Sequence, residues 1–401
     1  MKILAITNSF LPTPNAIGVC VESLLREFKK QGNEIYVLSM DGPKSEYVIK
    51  GYNVSVCALP SVKSHDNIVV RKAKTLKRIV ESYPFYSNGY VNGLYECACS
   101  LMDNVRFDIV IGTMKPYESG EIIYCLKNKY KDCKYILYEL DSLTDNLANY
   151  QGYTKILKYR CENKEKKYFS CADGILHLKE REDYYSDSRY IQYRNKTRYI
   201  GIPLINKEFY TRENPINDTI SIVYSGMLYK SERKPHYWIS LLENYKGKRC
   251  VKCDFFSRGD WESYLKEYEM KMPEKLHRNG YVDKSVLDEI ILRSNVLLSI
   301  GNCYKTRINS IPSKLLYYIS TGKPIIHISP NEYDVCLPYL EKYSKAIIIK
   351  QEQNFDDNVK RLENYILKLD EKTVPWEDIR NIYKECMPEY TVDMIKKLCK
   401  P

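Results

Sequence analysis

The stretch Asn309-Ser310-Ile311-Pro312-Ser313-Lys314-Leu315-Leu316-Tyr317-Tyr318-Ile319-Ser320-Thr321-Gly322-Lys323-Pro324 combines residue types that suit the binding of an anion. Pro312 fits the first turn of a helix, where its missing N–H costs nothing, and the amides that follow carry a partial positive charge outward. A diphosphate at such a helix start would accept hydrogen bonds from those amides, from the Ser313 hydroxyl and from the Lys314 ammonium. Leu315, Leu316 and Ile319 supply a buried face, and Gly322 is placed to end the helix before a strand over Pro324–Ile328. The same residues would equally suit a plain amphipathic helix that begins with Ser and Lys.

A second stretch, Ser225-Gly226-Met227-Leu228-Tyr229-Lys230-Ser231-Glu232-Arg233-Lys234-Pro235, follows a strand expected over Ser221–Tyr224. Gly226 lets backbone come close to a ligand, and Lys230, Arg233 and Lys234 add cations. Taken alone, this reads as a solvated basic loop.

The elements that must position these groups alternate along the chain. Short apolar runs rich in β-branched residues predict strands over Ile3–Thr7, Ile35–Ser39, Val54–Leu59, Asp108–Gly112, Tyr135–Leu140, Gly174–Leu178 and Arg198–Ile202. A second series predicts strands over Ser221–Tyr224, Val251–Phe255, Val296–Ile300, Pro324–Ile328 and Ala346–Ile349. Helical periods lie between them. The first is marked by the stripe Val21, Leu24, Leu25, Phe28 after Gly18, with Gly32 as its stop. This alternation is the pattern of βαβ units around parallel sheets, an α/β fold class. The polar segment Pro203–Asp218 has no clear period and is read as the join between residues 1–203 and 218–374, with 375–401 expected to pack back on the N-terminal domain. Two Rossmann-like domains facing each other across a cleft would place ligands beyond the carboxyl ends of their strands.

Composition narrows the classes. The chain has 401 residues, which at roughly 100 to 200 per domain favours two domains. With 44% hydrophobic and 28% charged residues it is neither collagen-like nor largely disordered. Lys and Arg number 62 against 51 Asp and Glu, a net charge of +11 that favours anionic partners. No apolar run approaches the roughly 18 residues of a membrane span, and the start is too short in its apolar stretch for a signal peptide, which points to the cytosol. The 14 cysteines are therefore expected as reduced thiols, and Cys250-Val251-Lys252-Cys253 is a lone CxxC without a second ligand pair.

Nearly end to end, the chain resembles the GT-B glycosyltransferases, and among them the family 4 type that builds bacterial capsule, exopolysaccharide and lipopolysaccharide. The resemblance rests on Gly18 before the first helix, on Gly226 through Lys234, on Gly280-Tyr281-Val282, and most specifically on Pro312-Ser313-Lys314 through Gly322-Lys323-Pro324. It implies that the C-terminal domain binds a nucleotide-diphosphate sugar and the N-terminal domain a glycan acceptor. Gly18, Gly226, Lys234 and Ser313 would then bind donor, while Lys314 and Arg233 would act on the leaving diphosphate. Asn309 and Tyr317 stand where many members have two glutamates eight positions apart, and Met227 stands where an arginine is common. A catalytically inactive relative and a nucleotide-sugar epimerase of the same architecture are the alternatives within the resemblance. A nucleic-acid-binding protein is the alternative outside it, although no nucleic-acid motif is present and no such partner is expected.

Glycosyl transfer from a diphosphate needs fixed donors aimed at the charge that grows on the leaving phosphate, and Lys314, Ser313 and Arg233 fit that need. No Asp-x-Asp motif stands at a strand end, and the histidines at 65, 177, 236, 277 and 327 form no spaced ligand set, so no metal and no cofactor is expected. The acceptor hydroxyl must lose a proton. Asp141, after the run Tyr135–Leu140, is the first candidate base, with Glu139 in reserve and turn capping as the alternative role for Asp141. Lys115, in Gly112-Thr113-Met114-Lys115-Pro116, could touch an acceptor phosphate, with an ordinary exposed loop lysine as the alternative. Two basic stretches remain: Arg71, Lys72, Lys74, Lys77 and Arg78, and Lys155, Lys158, Arg160, Lys164, Lys166 and Lys167. On one surface they would hold the protein at an anionic membrane, next to a polyprenyl-diphosphate-linked acceptor, with an ordinary solvated face as the alternative.

Overall fold

The computed structural model describes residues 1–40, 42–57, 68–145, 154–216, 218–303 and 311–400, except for the side chains of 68–73, 75, 154 and 155. The chain divides into two units: Met1–Pro203 with Glu385–Pro401, and Leu204–Lys384.

The first unit holds β1 (Lys2–Thr7), β2 (Glu34–Ser39), β3 (Ser45–Ile49), β4 (Tyr52–Val56), β5 (Ile109–Thr113), β6 (Lys134–Glu139), β7 (Gly174–Leu178) and β8 (Thr197–Ile200). They form one sheet in the order β3-β4-β2-β1-β5-β6-β7-β8, parallel except for the hairpin pair β3 and β4. Strands β5 and β7 are buried at every residue, which is why continuous apolar runs gave them away. Strand β3 alternates half-buried with exposed residues at the sheet edge, and its sequence SEYVI carries too little apolar signal to be read as a strand. The strand expected over Val54–Leu59 is described as far as Val56; Leu59 lies outside the described residues.

The second unit holds β9 (Thr219–Leu228), β10 (Cys250–Gly259), β11 (Leu276–Arg278), β12 (Val296–Ile300), β13 (Ile325–Ser329) and β14 (Ala346–Lys350), in the order β11-β10-β9-β12-β13-β14, all parallel. Strand β9 is longer than expected. It runs through Gly226 to Leu228, paired with β10 from Cys250↔Thr219 to Gly259↔Leu228, so Gly226 is a strand residue rather than part of a loop. Gly226 has φ +127, a conformation that interrupts the apolar pattern of the strand without interrupting its pairing.

The segment expected to join the domains is built into the second unit. Thr211 N–H donates to Thr321 O, Asn214 N–H to Glu371 O, and the buried Asn214 side chain to Asn295 O at 3.0 Å. The C-terminal segment divides as well: the helix Trp376–Ile382 lies in the second unit, and the helix Pro388–Cys399 packs on the helix Ala16–Lys30 of the first. A boundary read from composition falls at Pro203 and Asp218 because both flank polar, aperiodic residues. Hydrogen bonding to distant backbone, invisible in composition, decides which side those residues join.

The helix Ser313–Thr321 buries Leu315, Leu316 and Ile319 and ends at Gly322, which takes the left-handed conformation with φ 77. A Cβ there would also lie 3.0 Å from Val374 O and 2.9 Å from Tyr210 Cε2. We expect Gly322→Ala to cost about 1–2 kcal/mol, the usual cost of left-handed backbone for an L-residue, read as a lower midpoint in thermal denaturation of the full chain.

Candidate functional site

In the second unit, the carboxyl end of β9 and the start of the helix Ser313–Thr321 come together. Pro312 is the N-cap, in extended conformation, and makes no side-chain cap bond, so Ser313 rather than Pro312 opens the helix. The Lys314 ammonium folds back across β9, donating to Ser225 O at 2.6 Å and lying 5.1 Å from the Tyr224 ring centroid. It runs directly over Gly226. A Cβ at 226 would stand 1.4 Å from Lys314 Nζ and 2.5 Å from Cε, so no side chain at 226 is compatible with this lysine position. Strand β9 is held to the same helix by Tyr318, whose hydroxyl meets Ser225 N at 3.0 Å and Ser225 Oγ at 2.9 Å.

Burial, reinforced by the positive charge of Arg233, pulls the Lys314 pKa down to about 7, with Cys336 opposing. Lys314 is therefore a lysine at the edge of protonation beside a guanidinium. Arg233 is partly buried, and its Nε is enclosed with no hydrogen-bond partner among the described residues. A buried donor left unmade is costly, and an anion at this place would satisfy it. Lys234 is exposed, and Ser313 is partly exposed at the helix start.

Tyr317 turns toward another part of the unit. Its ring packs edge-on against Phe209 at 4.7 Å and lies 5.3 Å from Lys284 Nζ, and burial followed by the Asp288 charge raises its hydroxyl pKa. Asn309 lies outside the described residues. Lys323, part of the same sequence motif, is fully buried and donates to Asn214 Oδ1 at 3.0 Å and Ser294 O at 2.6 Å, a structural role.

Histidine spacing gave no ligand set, yet the fold gathers His327, Asp334 and Cys336, with candidate ligand atoms within 4.8 Å of one another. Histidine spacing alone does not show this grouping: His327 sits on β13, while Asp334 and Cys336 come from the turn after it. His327 Nε2 lies 2.7 Å from Asp334 Oδ2, and its Nδ1 lies 3.0 Å from Ser299 Oγ. Burial works against the Asp334 carboxylate, but the bond with His327 keeps its pKa below the usual range; burial raises the Cys336 thiol. The three side chains are the residues that could hold a soft divalent ion. As they stand, His327 and Asp334 satisfy each other.

In the first unit, Asp141 follows the end of β6 and Lys115 follows β5, and the two meet: Lys115 Nζ donates to Asp141 Oδ2 at 2.9 Å. Asp141 Oδ1 faces Arg181 Nη2 at 3.9 Å. Arg181 is a functional candidate that sequence reading missed, because its only signal is its spatial neighbours. Glu139 is not with them. It is fully buried and turned into the core, 2.5 Å from His177 Nδ1, which removes it from the reach of an acceptor. Gly18 stands inside the first turn of the helix Ala16–Lys30, not before it, with its N–H bound to the Asn15 cap at 3.0 Å. A Cβ there would meet Ser9 O at 2.6 Å, so glycine lets the helix start pack on the loop after β1.

Beneath the Asp141 loop lies a buried polar network. Glu165 accepts from the hydroxyls of Thr144 at 2.7 Å and Tyr190 at 2.7 Å, and from Tyr185 at 3.2 Å. Tyr185 also meets Ser142 Oγ at 2.5 Å and stacks on His177 at 3.7 Å. Burial raises both the Glu139 and Glu165 carboxyls and lowers His177, so the cluster stays largely uncharged.

The chain matches no family model, and it matches no curated protein sequence. Solved structures do match. An α,α-trehalose-phosphate synthase (UDP-forming) from Burkholderia xenovorans in complex with glucose-6-phosphate gives a TM-score of 0.61 at 10% identity, covering 100% of both chains. HepE from Anabaena in complex with UDP and glucose gives 0.60 at 11% identity, over 99% of this chain and 98% of that one. The lipopolysaccharide outer core galactosyltransferase WaaB, in its apo form, gives 0.58 at 13% identity over 99% of each chain. The fold is that of the GT-B glycosyltransferases. Within this GT-B fold, Lys314 and Arg233 belong to the second parallel-sheet unit, and Asp141, Lys115 and Arg181 to the first.

The network beneath Asp141 gives a pH prediction. A carboxyl whose folded pKa is raised contributes stability that is full below its unfolded pKa and is lost as pH rises through the folded value. For Glu165, raised to about 8, that stability should fall between roughly pH 4.5 and 8. Thermal midpoints of the wild type and Glu165→Gln, measured from pH 5 to 8.5, should show a smaller decline with pH in the variant. Parallel curves would contradict the buried, proton-holding carboxyl.

Proposed function

We propose that this protein is a glycosyltransferase that moves a sugar from a nucleotide diphosphate to a glycan acceptor. The observation that carries the reading is the Lys314 ammonium laid over Gly226 at the end of β9, with Arg233 beside it. Two cations converge at the helix start where a pyrophosphate would lie, in a fold that solved glycosyltransferases share. HepE is described with UDP and glucose; the corresponding ligand here is a nucleotide-diphosphate sugar as co-substrate, with no resident cofactor.

In this reading Lys314, Arg233 and Ser313 stabilise the charge that develops on the leaving diphosphate, which makes the transfer independent of a metal. Asp141 takes the proton of the acceptor hydroxyl, and Lys115 stands by the acceptor. Gly226 and Lys234 line the donor, with Gly18 as a further contact implied by the family 4 resemblance and Asn309 and Tyr317 standing at the family's donor-contact positions in place of its glutamates. The resemblance further suggests a hexosyl transfer with retention at the anomeric carbon. The acceptor is a polyprenyl-diphosphate-linked glycan in bacterial surface polysaccharide synthesis, and the enzyme works at the cytoplasmic face of the membrane.

Support for a membrane surface comes from the helices Ile68–Glu81 and Thr154–Cys171. Val80 and Ile156 are 65% and 73% exposed, Leu76 and Tyr159 are exposed as well, and Lys74, Lys77, Arg78 and Lys158 are exposed cations on the same helices. Arg160 joins the two helices, donating to Ile79 O at 2.8 Å and Val80 O at 3.1 Å. The basic face is narrower than the sequence suggested. Lys164 and Lys167 are spent on Glu121, at 3.6 and 2.6 Å, and the side chains of Arg71, Lys72 and Lys155 lie outside those described. Among the described residues, no helix is long and apolar enough to cross a membrane.

Thermal-shift screening against UDP, GDP and their common sugars should raise the melting temperature for one nucleotide, since a ligand bound only by the folded chain stabilises it. With that donor, Lys314→Ala should lower turnover at least tenfold without unfolding the chain. Gly226→Ala should lower donor affinity by a similar factor by displacing Lys314. Near-normal activity in Lys314→Ala would overturn the assignment. In flotation assays, vesicles with anionic lipid should retain the wild type, at about 1 kcal/mol per engaged cation, and release Val80→Ser/Ile156→Ser; equal retention of both would remove the membrane face.

A further inference from the structure

The side chain of Arg181 is only 5% exposed, yet its contacts are long. Nη1 lies 3.4 Å from both Asp145 O and Asp145 Oδ2, Nη2 lies 3.9 Å from Asp141 Oδ1, and Nε has no hydrogen-bond partner among the described residues. A guanidinium offers five N–H donors in a planar fork, and taking it out of water is costly unless they are met at close range. Among the described residues they are not met at close range. Lys115 Nζ sits on the other side of the same aspartate, 2.9 Å from Oδ2. One carboxylate thus separates two cations.

The place of this group in the fold points to a ligand. Lys115, Asp141 and Arg181 follow the carboxyl ends of the adjacent strands β5, β6 and β7, which is where open parallel sheets bind their ligands. Asp141 and Asp145 have side chains 27% exposed, so they form the lid over Arg181 that solvent can reach. The lid is short and preformed: Asp145 N–H and Thr144 N–H both donate to Ser142 Oγ, at 2.9 and 3.2 Å.

We propose that Arg181 and Lys115 form a phosphoryl-binding subsite for the acceptor, and that in the empty protein the carboxylates of Asp141 and Asp145 occupy the place of that anion. This rests on the glycosyltransferase reading for its acceptor, but the subsite itself does not depend on the donor site. A phosphoryl group offers oxygens to both the guanidinium fork and the ammonium, at shorter range than the aspartates do. Its arrival breaks the Lys115–Asp141 bond and frees Asp141 to face the acceptor hydroxyl. The four groups sum to zero charge when the site is empty, so binding is an exchange of one anion for another.

The test is calorimetric titration of inorganic pyrophosphate into the full-length Lys314→Ala protein at low salt, where the donor site is disabled. One site should remain. Lys115→Ala, a change at a half-exposed residue that leaves the fold intact, should weaken it at least fivefold, and Arg181→Gln should abolish it. Asp141→Asn should tighten it at least threefold, because it removes the competing carboxylate; a purely structural Asp141 would give the opposite sign. Unchanged affinity in Lys115→Ala, or weaker binding in Asp141→Asn, would overturn the proposal. Repeating the titration with inorganic phosphate separates the sources: equal affinity fits a phosphomonoester acceptor, and at least tenfold tighter pyrophosphate fits a diphosphate-linked one. Equal stoichiometry in the wild type and Lys314→Ala, lost on Arg181→Gln, would retire the donor-site reading and leave this subsite standing.

Discussion

The contact between Lys314 and Gly226 is the constraint on which the proposed donor site depends. A lysine at the start of a helix would ordinarily extend into solvent, where its four-carbon stem is free and its ammonium fully hydrated. Here the stem crosses a strand that has no side chain at the crossing point, and the ammonium ends on Ser225 O, partly desolvated and facing Arg233. Both consequences matter. The position is fixed before any ligand arrives, and the charge is held in a place where it is disfavoured until an anion compensates it. Pre-positioned charge of this kind stabilises a developing negative charge without reorganisation.

The first unit uses a different device for its own charges. Asp141 stands on a loop whose underside is a neutral hydrogen-bonded network of Glu165, Tyr185, Tyr190, Thr144 and Ser142, with Lys115 and Arg181 reaching it from the ends of the strands on either side. A single buried carboxyl gathers three hydroxyl groups from different elements, so the loop is tied to the helix Thr154–Cys171 and to the segment after β7 at once. Tyr185 and Tyr190 show one use of the abundant tyrosine: their rings pack in the core while their hydroxyls reach the polar network.

Most of the sheet architecture was legible in the sequence, because parallel strands buried on both faces read as unbroken β-branched runs. Elements that lack that signature were not legible. Strand β3 lies at an edge with alternating exposure, β11 has three residues, and the end of β9 is masked by Gly226, whose local chemistry suggests a turn. The site divides along the same line. Pro312-Ser313-Lys314 and Gly226 announce themselves through residue type and spacing. Arg181 and Glu165 do not, because what makes them notable is a set of partners drawn from other strands and helices. Glu139, held in reserve as a base, is turned by the end of β6 into the core against His177, a direction that residue type alone does not give.

Burial pulls the Lys314 pKa down to about 7, and a bound diphosphate should restore its full charge. Following the Lys314 Nζ resonance by NMR through a pH titration, with and without the nucleotide diphosphate that stabilises the protein, tests this directly. The expected result is a midpoint at about 7 in the free protein that moves up by more than one unit when the nucleotide is bound. A midpoint in the free protein near the ordinary lysine value of about 10.4, or one that the nucleotide does not move, would contradict it.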